Sequence, residues 1–400
     1  MRILWITRAY PFPAFAGDLL YSGRMLRAIS AAGGKLDVVT RAAGDLENES
    51  ADGRITVVLR NGVEWTLLPE SKRGRFLSLF SILPSDPYRL ASADAIGAVR
   101  ELTRKNDYDW VVIDIGAMGW ALRPLKTALK RGTKLLYLSH NHEKHTRMMV
   151  ALGMRNPVMR MALLYDAFKY GLMEDRIVRA ASLVCTITRE DGEAYAADKV
   201  QARILLAPPG YDGIRLLGRE IDETTPRRIV ILGHFNWVAK QENLLRFVQA
   251  AMPVLEAAGV GISIIGHVGQ KLITKIQSFN QDIEFLGRAD DLHSALRQAG
   301  RIGVVAENLG GGFKMKTLDY VFNGLPLAGL EVALTGMPLT SGVGMIGAGD
   351  FEDLANKVVQ VVDDFPLLNK MRHIAFEQAK TEFDWSISGR NILSEMASVC

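Results

Sequence analysis

Residues 307–329 read ENLGGGFKMKTLDYVFNGLPLAG. They follow an apolar run, Ile302–Ala306 (IGVVA), with the composition of a buried parallel strand. Three glycines come next, Gly310, Gly311 and Gly312. An amphipathic helix then opens with Lys314 and Lys316, carries Asp319, and stops at Asn323-Gly324 before Pro326. A strand, a glycine turn and a helix N-terminus form an anion site: glycine lets backbone N–H groups approach a phosphate, and the helix end adds partial positive charge. A carboxylate about two turns into such a helix is within reach of a ribose hydroxyl pair. The chemistry implied is binding of a nucleotide diphosphate. Taken alone, the same residues also read as a tight turn with a solvated lysine, so the rest of the chain must decide.

Four hundred residues favour two domains over one, and 48% hydrophobic content supports a sizeable core. A net charge of +4 is too small for bulk charge to argue for nucleic acid. Two cysteines, Cys185 and Cys400, cannot build a disulfide framework and suit a reducing compartment. The opening MRILWIT reads as a strand rather than a secretory leader, and no apolar run approaches membrane-spanning length. The expectation is a cytoplasmic protein, soluble or peripherally bound to a membrane.

Strand-like and helix-like segments alternate. The first half offers strands at Ile3–Thr7, Lys35–Val39, Trp65–Leu68, Trp110–Asp114, Lys134–Ser139, Leu183–Ile187 and Arg203–Ala207, with helices between them. Ala207-Pro208-Pro209-Gly210 is a stiff break, after which Arg228–Gly233, Ile262–Ile265, Ile283–Leu286 and Ile302–Val305 repeat the rhythm. This predicts α/β architecture with two Rossmann-like, doubly wound parallel-sheet domains facing across a cleft. The expected organisation is residues 1–207 on the acceptor side, 208–380 for the nucleotide sugar, and a C-terminal helix within 381–400 crossing back to the first domain.

With these segments in place, the chain resembles the GT-B glycosyltransferases, specifically the retaining family 4 (group 1) type that includes many bacterial polysaccharide and glycolipid enzymes. The resemblance covers nearly the whole chain. Family members often carry GGGxRxKxLEAMAxGxPVV, and Gly310–Pro326 follows that pattern. Asp319 falls where the family has its ribose-binding Glu. Gly311 stands where many members have an earlier Glu that touches the donor sugar. Leu232–Asn243 is similar to the family's first strand and glycine loop of the second domain, which implies donor contacts from Gly233, Phe235 and Asn236 and a diphosphate-facing role for Lys240. Phe285-Leu286-Gly287-Arg288 resembles the strand end against the base, where Arg288 either stacks or is solvated. Phe313 joins the donor-binding set with the three glycines. In the first half, Pro11–Asp18 resembles the family's glycine loop, and Ser139–Glu143 resembles an HNxE segment. The resemblance implies acceptor-side roles for Gly17, Asp18, Asn141 and Glu143, and a sugar-positioning role for His140.

His140, His142, Glu143 and His145 crowd together, but their spacing does not suit a zinc site. Neither a metal nor a cofactor is expected, since lysines and helix dipoles neutralise the leaving diphosphate in this type of enzyme. Asp107-Tyr108-Asp109 precedes a strand, the wrong end for a metal motif, and reads as a turn. Residues 121–173 hold ten Lys or Arg against two Asp or Glu, interleaved with Met and Leu. A basic-apolar stretch also runs from Lys72 to Phe80. Such a surface fits the inner leaflet of a membrane, with a solvated helical face as the plain alternative. The expected reaction moves a sugar from a nucleotide-diphosphate sugar (UDP favoured over GDP) to a hydroxyl of a lipid-linked or saccharide acceptor. His140, Lys240, Lys316 and Asp319 form the expected catalytic set. The alternatives are a sugar-nucleotide 2-epimerase of the same fold and a non-catalytic nucleotide-sugar-binding subunit.

Overall fold

The computed structural model describes the chain except for Phe15, residues 51–53, Lys72, Arg155, Lys199, Trp237, Asn280, Gln281, residues 309–311 and Cys400. Two compact units emerge, residues 1–210 with 384–400, and residues 211–383.

The first unit is built on eight strands: β1 (Arg2–Ile6), β2 (Lys35–Arg41), β3 (Thr56–Arg60), β4 (Val63–Leu68), β5 (Trp110–Asp114), β6 (Lys134–Ser139), β7 (Leu183–Thr186) and β8 (Arg203–Leu206). Their order is β3-β4-β2-β1-β5-β6-β7-β8, with every pairing parallel except β3–β4. The central strands are buried along nearly their whole length because helices cover both faces, so they read as continuous apolar runs. The sequence did not suggest β3. It joins β4 through Asn61-Gly62, both at positive φ, a two-residue hairpin turn whose backbone only such residues adopt readily. The helix Trp385–Ser398 packs on Gly17–Ala31 at Gly389, where an added Cβ would come within 2.7 Å of the Ala28 Cβ.

The second unit holds β9 (Arg228–Leu232), β10 (Gly261–Ile265), β11 (Glu284–Gly287), β12 (Ile302–Val305), β13 (Leu327–Leu330) and β14 (Met345–Ala348), all parallel, in the order β11-β10-β9-β12-β13-β14. The chain runs outward from β9 in one direction, then returns to β12 on its other side. The pair β9–β12 is therefore a topological switch point, where the crossover loops on either side diverge and leave a crevice at the carboxyl edge. In the first unit β1–β5 has the same position.

One side chain shapes the second switch point. Tyr320 lies beneath Gly303, where an added Cβ would fall 2.4 Å from the ring. The Leu232 N–H donates to the Tyr320 hydroxyl at 2.6 Å, and that hydroxyl reaches the Val230 carbonyl at 3.1 Å. β9 and β12 pair only at Ile302↔Ile229 and Gly303↔Val230. Beyond that point the phenol takes over the bonding, so the two strands part toward their carboxyl ends. Tyr320→Phe would leave the Leu232 N–H without its partner. The expected cost is about 1–3 kcal/mol in a urea titration; an unchanged midpoint would mean the hydroxyl does not hold the strands.

Candidate functional site

Directly beyond β12 the chain places Glu307 at the carboxyl edge, only 8% exposed. An isolated carboxylate there would be costly. Instead the Lys316 ammonium donates to its Oε1 at 2.5 Å, and Lys314 lies 3.7 Å from Oε2. Burial opposes ionisation of Glu307, but Lys316, Lys314 and, across the switch point, Lys240 outweigh it and hold the carboxyl at about 2. Burial, together with the charge of Lys316, pulls Lys240 below the usual ammonium range. Burial likewise lowers Lys314, with Glu307 pulling the other way. Three ammonium groups thus face the ionised Glu307 carboxylate, and the cluster carries net positive charge in a poorly solvated position. An incoming anion would relieve the repulsion among the lysines.

The loops around this cluster are set by close backbone approach. Gly266, at φ +119, sits against the Gly233 carbonyl with no room for a Cβ, and the Phe235 N–H donates to the His267 carbonyl at 2.9 Å. Phe235, expected to touch the donor, is a core residue instead. Its ring fills the space that a Gly233 side chain would take. Asn236 and Arg288 are exposed, Arg288 following the turn at Gly287 (φ +68). Gly310 and Gly311 lie outside the described residues. Gly312 follows at φ +73, and Phe313 turns its ring against Phe383 at 5.4 Å.

The helix begins later than the sequence suggested, at Lys316 rather than at Lys314, and ends at Phe322. Lys314 lies in the preceding turn, where its carbonyl accepts from the Thr317 N–H and hydroxyl. Asp319 is consequently in the first helical turn, not two turns in. Burial raises its carboxyl to about 7, against a hydrogen bond with the Tyr211 hydroxyl and the charge of Lys316. Tyr211 is itself stacked on Phe322 and bonded by Asn323. In this state Asp319 is engaged by Tyr211.

In the first unit the carboxyl edge of the central strands carries a second cluster. Asp114, the last residue of β5, accepts from His140 Nε2 at 2.7 Å and from the Trp5 indole N–H at 2.9 Å, all three buried. That partner leaves Nδ1 as the second ring position available to a ligand. The next residue, Ile115, holds φ +69, a conformation β-branched residues avoid, so the backbone is strained beside the dyad. Thr7, at the end of β1, has a buried hydroxyl without a hydrogen-bond partner among the described residues. Gly17 opens its helix exposed, and Asp18 pairs with Arg8 at 2.8 Å. The Asn141 carbonyl accepts from the Ser139 hydroxyl.

Glu143 is buried over Gly116, with its carboxylate committed to Arg147 at 2.6 Å. His142 caps the helix Glu143–Leu152 through its ring nitrogen, and His145 is exposed. The histidines therefore diverge, and no group of three or more potential metal ligands converges among the described residues. Asp114 and Glu307 are residues of these clusters that the sequence reading left without a role; Lys314 it placed only at the helix opening, and Tyr211 only in the linker that follows Pro208-Pro209-Gly210. A carboxylate closing an apolar strand, as in WVVID and IGVVAE, is the signal that would have found the first two.

Residues 226–364 match the family model described as Glycosyl transferases group 1. No curated protein matches the chain. Among solved structures, sucrose-phosphate synthase from Thermosynechococcus elongatus is similar at 15% identity and a TM-score of 0.70, over 100% of this chain and 99% of that one. HepE from Anabaena, in complex with UDP and glucose, is similar at 14% identity and a TM-score of 0.63, over 100% of both chains. The lipopolysaccharide outer core galactosyltransferase WaaB is similar at 12% identity and a TM-score of 0.62, over 100% of both chains. These likenesses, each spanning the full length, establish the GT-B fold.

The Glu307–Lys316 pair can be tested without any ligand. Lys316→Met and Glu307→Gln, alone and together, should show a coupling of about 0.5–3 kcal/mol in a double-mutant cycle read by denaturation. Strict additivity would mean that the pair does not form.

Proposed function

We propose that this protein is a glycosyltransferase that uses a nucleotide-diphosphate sugar, with UDP favoured, and delivers the sugar to a hydroxyl of a lipid-linked or saccharide acceptor in cell-surface polysaccharide or glycolipid synthesis. The observation that carries this reading is the surplus of positive charge from Lys240, Lys314 and Lys316 at a parallel-sheet switch point, inside the segment that matches the glycosyl transferase group 1 model. The name of HepE in its complexes with UDP and with UDP-glucose supports the choice of base. The name of WaaB supports a glycolipid or saccharide acceptor.

In the proposed reaction the diphosphate displaces Glu307 as the partner of the lysines. Lys316 and Lys240 then stabilise charge as it develops on the leaving phosphate oxygen, which is where fixed cations accelerate a reaction most. The acceptor oxygen bonds to the anomeric carbon as the carbon–phosphate-oxygen bond breaks. The departing phosphate oxygen takes the acceptor proton, and attack on the same face retains configuration. No metal is required, because ammonium groups occupy the role a divalent cation would have. Asp319 releases Tyr211 to hold the ribose, with a carboxylate one methylene shorter than Glu. His140, fixed by Asp114, offers an oriented ring nitrogen to a sugar hydroxyl.

Thermal shift against UDP, GDP, ADP and dTDP tests the donor site. At about a hundred times the dissociation constant, a bound nucleotide adds about 2.7 kcal/mol, so UDP alone should raise the melting temperature by several degrees. Lys316→Ala should lower kcat on the best UDP-sugar by about a hundredfold or more. Stabilisation by none of the four, or full turnover in the variant, would overturn the reading.

A further inference from the structure

The helix Pro157–Ala180 is apolar on two faces. One face, including Ala167, Tyr170, Met173 and Ile177, is buried in the first unit. The other carries Val158, Met161, Tyr165, Phe168 and Leu172, spaced three and four residues apart so that they share one side of the helix, and all are exposed. A helix at a water-facing surface normally turns charge outward along such a stripe.

Two neighbouring elements extend this apolar face. The segment from Arg75 to Leu83 is pinned alongside the helix: the Lys169 ammonium donates to the Ser78 and Leu83 carbonyls at 2.8 and 3.3 Å, and the Tyr165 hydroxyl to the Leu79 carbonyl at 3.3 Å. That segment leaves Phe80 84% and Ile82 79% exposed, with Phe76 beside Phe80 at 6.3 Å between rings. The helix Glu143–Leu152 packs on the same long helix, with Arg147 over the Tyr170 ring at 3.5 Å and Arg160 bonded to the Leu152 carbonyl at 2.6 Å. It adds exposed Met148, Met149 and Leu152.

The fully exposed charges on these elements are predominantly basic. Arg73, Arg75, Lys144 and Arg160 are exposed. Of the acids on these elements, Asp166 accepts from the Ser85 N–H at 2.7 Å, Glu143 is held by Arg147 and Glu174 is buried, while Asp175 is half-buried; beyond them, Asp198 lies 3.5 Å from the Lys144 ammonium. Lys169 turns its ammonium inward to carbonyls, which leaves the middle of the face apolar. Soluble surfaces rarely carry a continuous apolar patch built from three elements. No described helix is long and apolar enough to cross a membrane, so the face suits lying on a bilayer, not spanning it.

We propose that this face docks the protein onto an anionic bilayer surface. Phe76, Phe80, Phe168 and their apolar neighbours would enter the headgroup–acyl boundary while Arg73, Arg75, Lys144 and Arg160 meet lipid phosphates. The argument uses the first unit alone and stands apart from the donor site in the second.

The full chain should co-sediment with vesicles of phosphatidylglycerol and phosphatidylethanolamine, and much less with phosphatidylcholine alone. Rising salt should weaken binding, because exposed charges are screened within about 10 Å at ~0.1 M. The pair Phe80→Asp and Phe168→Asp should weaken vesicle binding tenfold or more, while circular dichroism and the shift with UDP stay as in wild type. Leu59→Asp, at another exposed apolar residue on the edge strand β3, should bind vesicles as wild type does. The proposal fails if wild-type protein stays in the supernatant with anionic vesicles, or if the Phe80/Phe168 pair binds them unchanged. It also fails if the face instead joins two copies of the chain, seen as a dimer without vesicle binding that the same variant dissociates.

Discussion

A single buried carboxylate, Glu307, governs the candidate donor site. Without it, three lysines would meet in a poorly solvated position and repel one another. Without the lysines, a nearly buried carboxylate would have no compensation, at a cost of several kcal/mol. Each side makes the other tolerable, and the result is a preformed cationic position in the absence of ligand. Because the balance is unequal, with charge left over on the lysine side, the same group of residues also has a reason to accept an anion. Burial is the main reason that Lys240 and Lys314 fall below the usual ammonium range, and repulsion from neighbouring lysines adds to it, so their charged forms are at a disadvantage until negative charge arrives.

The sheet makes that position possible. Lys240 follows β9 while Glu307, Lys314 and Lys316 follow β12, and only the adjacency of these two strands at the switch point unites them. The Tyr320 phenol, lodged beneath Gly303, takes over strand bonding where the loops must part. In the first unit, the Asp114–His140 dyad lies at the ends of neighbouring β5 and β6, with strained Ile115 next to it. Both units thus place their unusual chemistry at carboxyl edges, which is where doubly wound folds leave room for it.

Much of the architecture was legible because buried parallel strands are continuous apolar runs: WVVID, KLLYLS and IGVVA announced themselves. β13 and β14 escaped because LAGL and MIGA are short and rich in small residues, so their strand character comes from neighbours, not from their own composition. β3 was missed although Asn61-Gly62 marked its hairpin; its alternating exposure is an edge pattern, unlike the runs around it. Among candidate site residues, Lys316 and Asp319 stand out from a strand, a glycine turn and a helix in sequence, and Lys240 from the resemblance of Leu232–Asn243 to the family's loop. Their relations could not: Asp319 is bound to Tyr211 and His140 to Asp114 from separate elements, and Lys316 to Glu307 because the intervening loop folds back on the strand end. Phe235 shows the reverse error, since a residue in a loop next to a site can still belong to the core when a glycine beside it vacates the space.

The central claim is that the lysines around Glu307 form a diphosphate site. Calorimetric titration of the protein with UDP and with uridine monophosphate separates the phosphate contribution from that of the nucleoside. The account predicts that UDP binds at least about tenfold more tightly, a difference of about 1.4 kcal/mol, and that the gap closes when Lys316 is replaced by Ala. Equal affinity for the two nucleotides in the wild-type protein would contradict it.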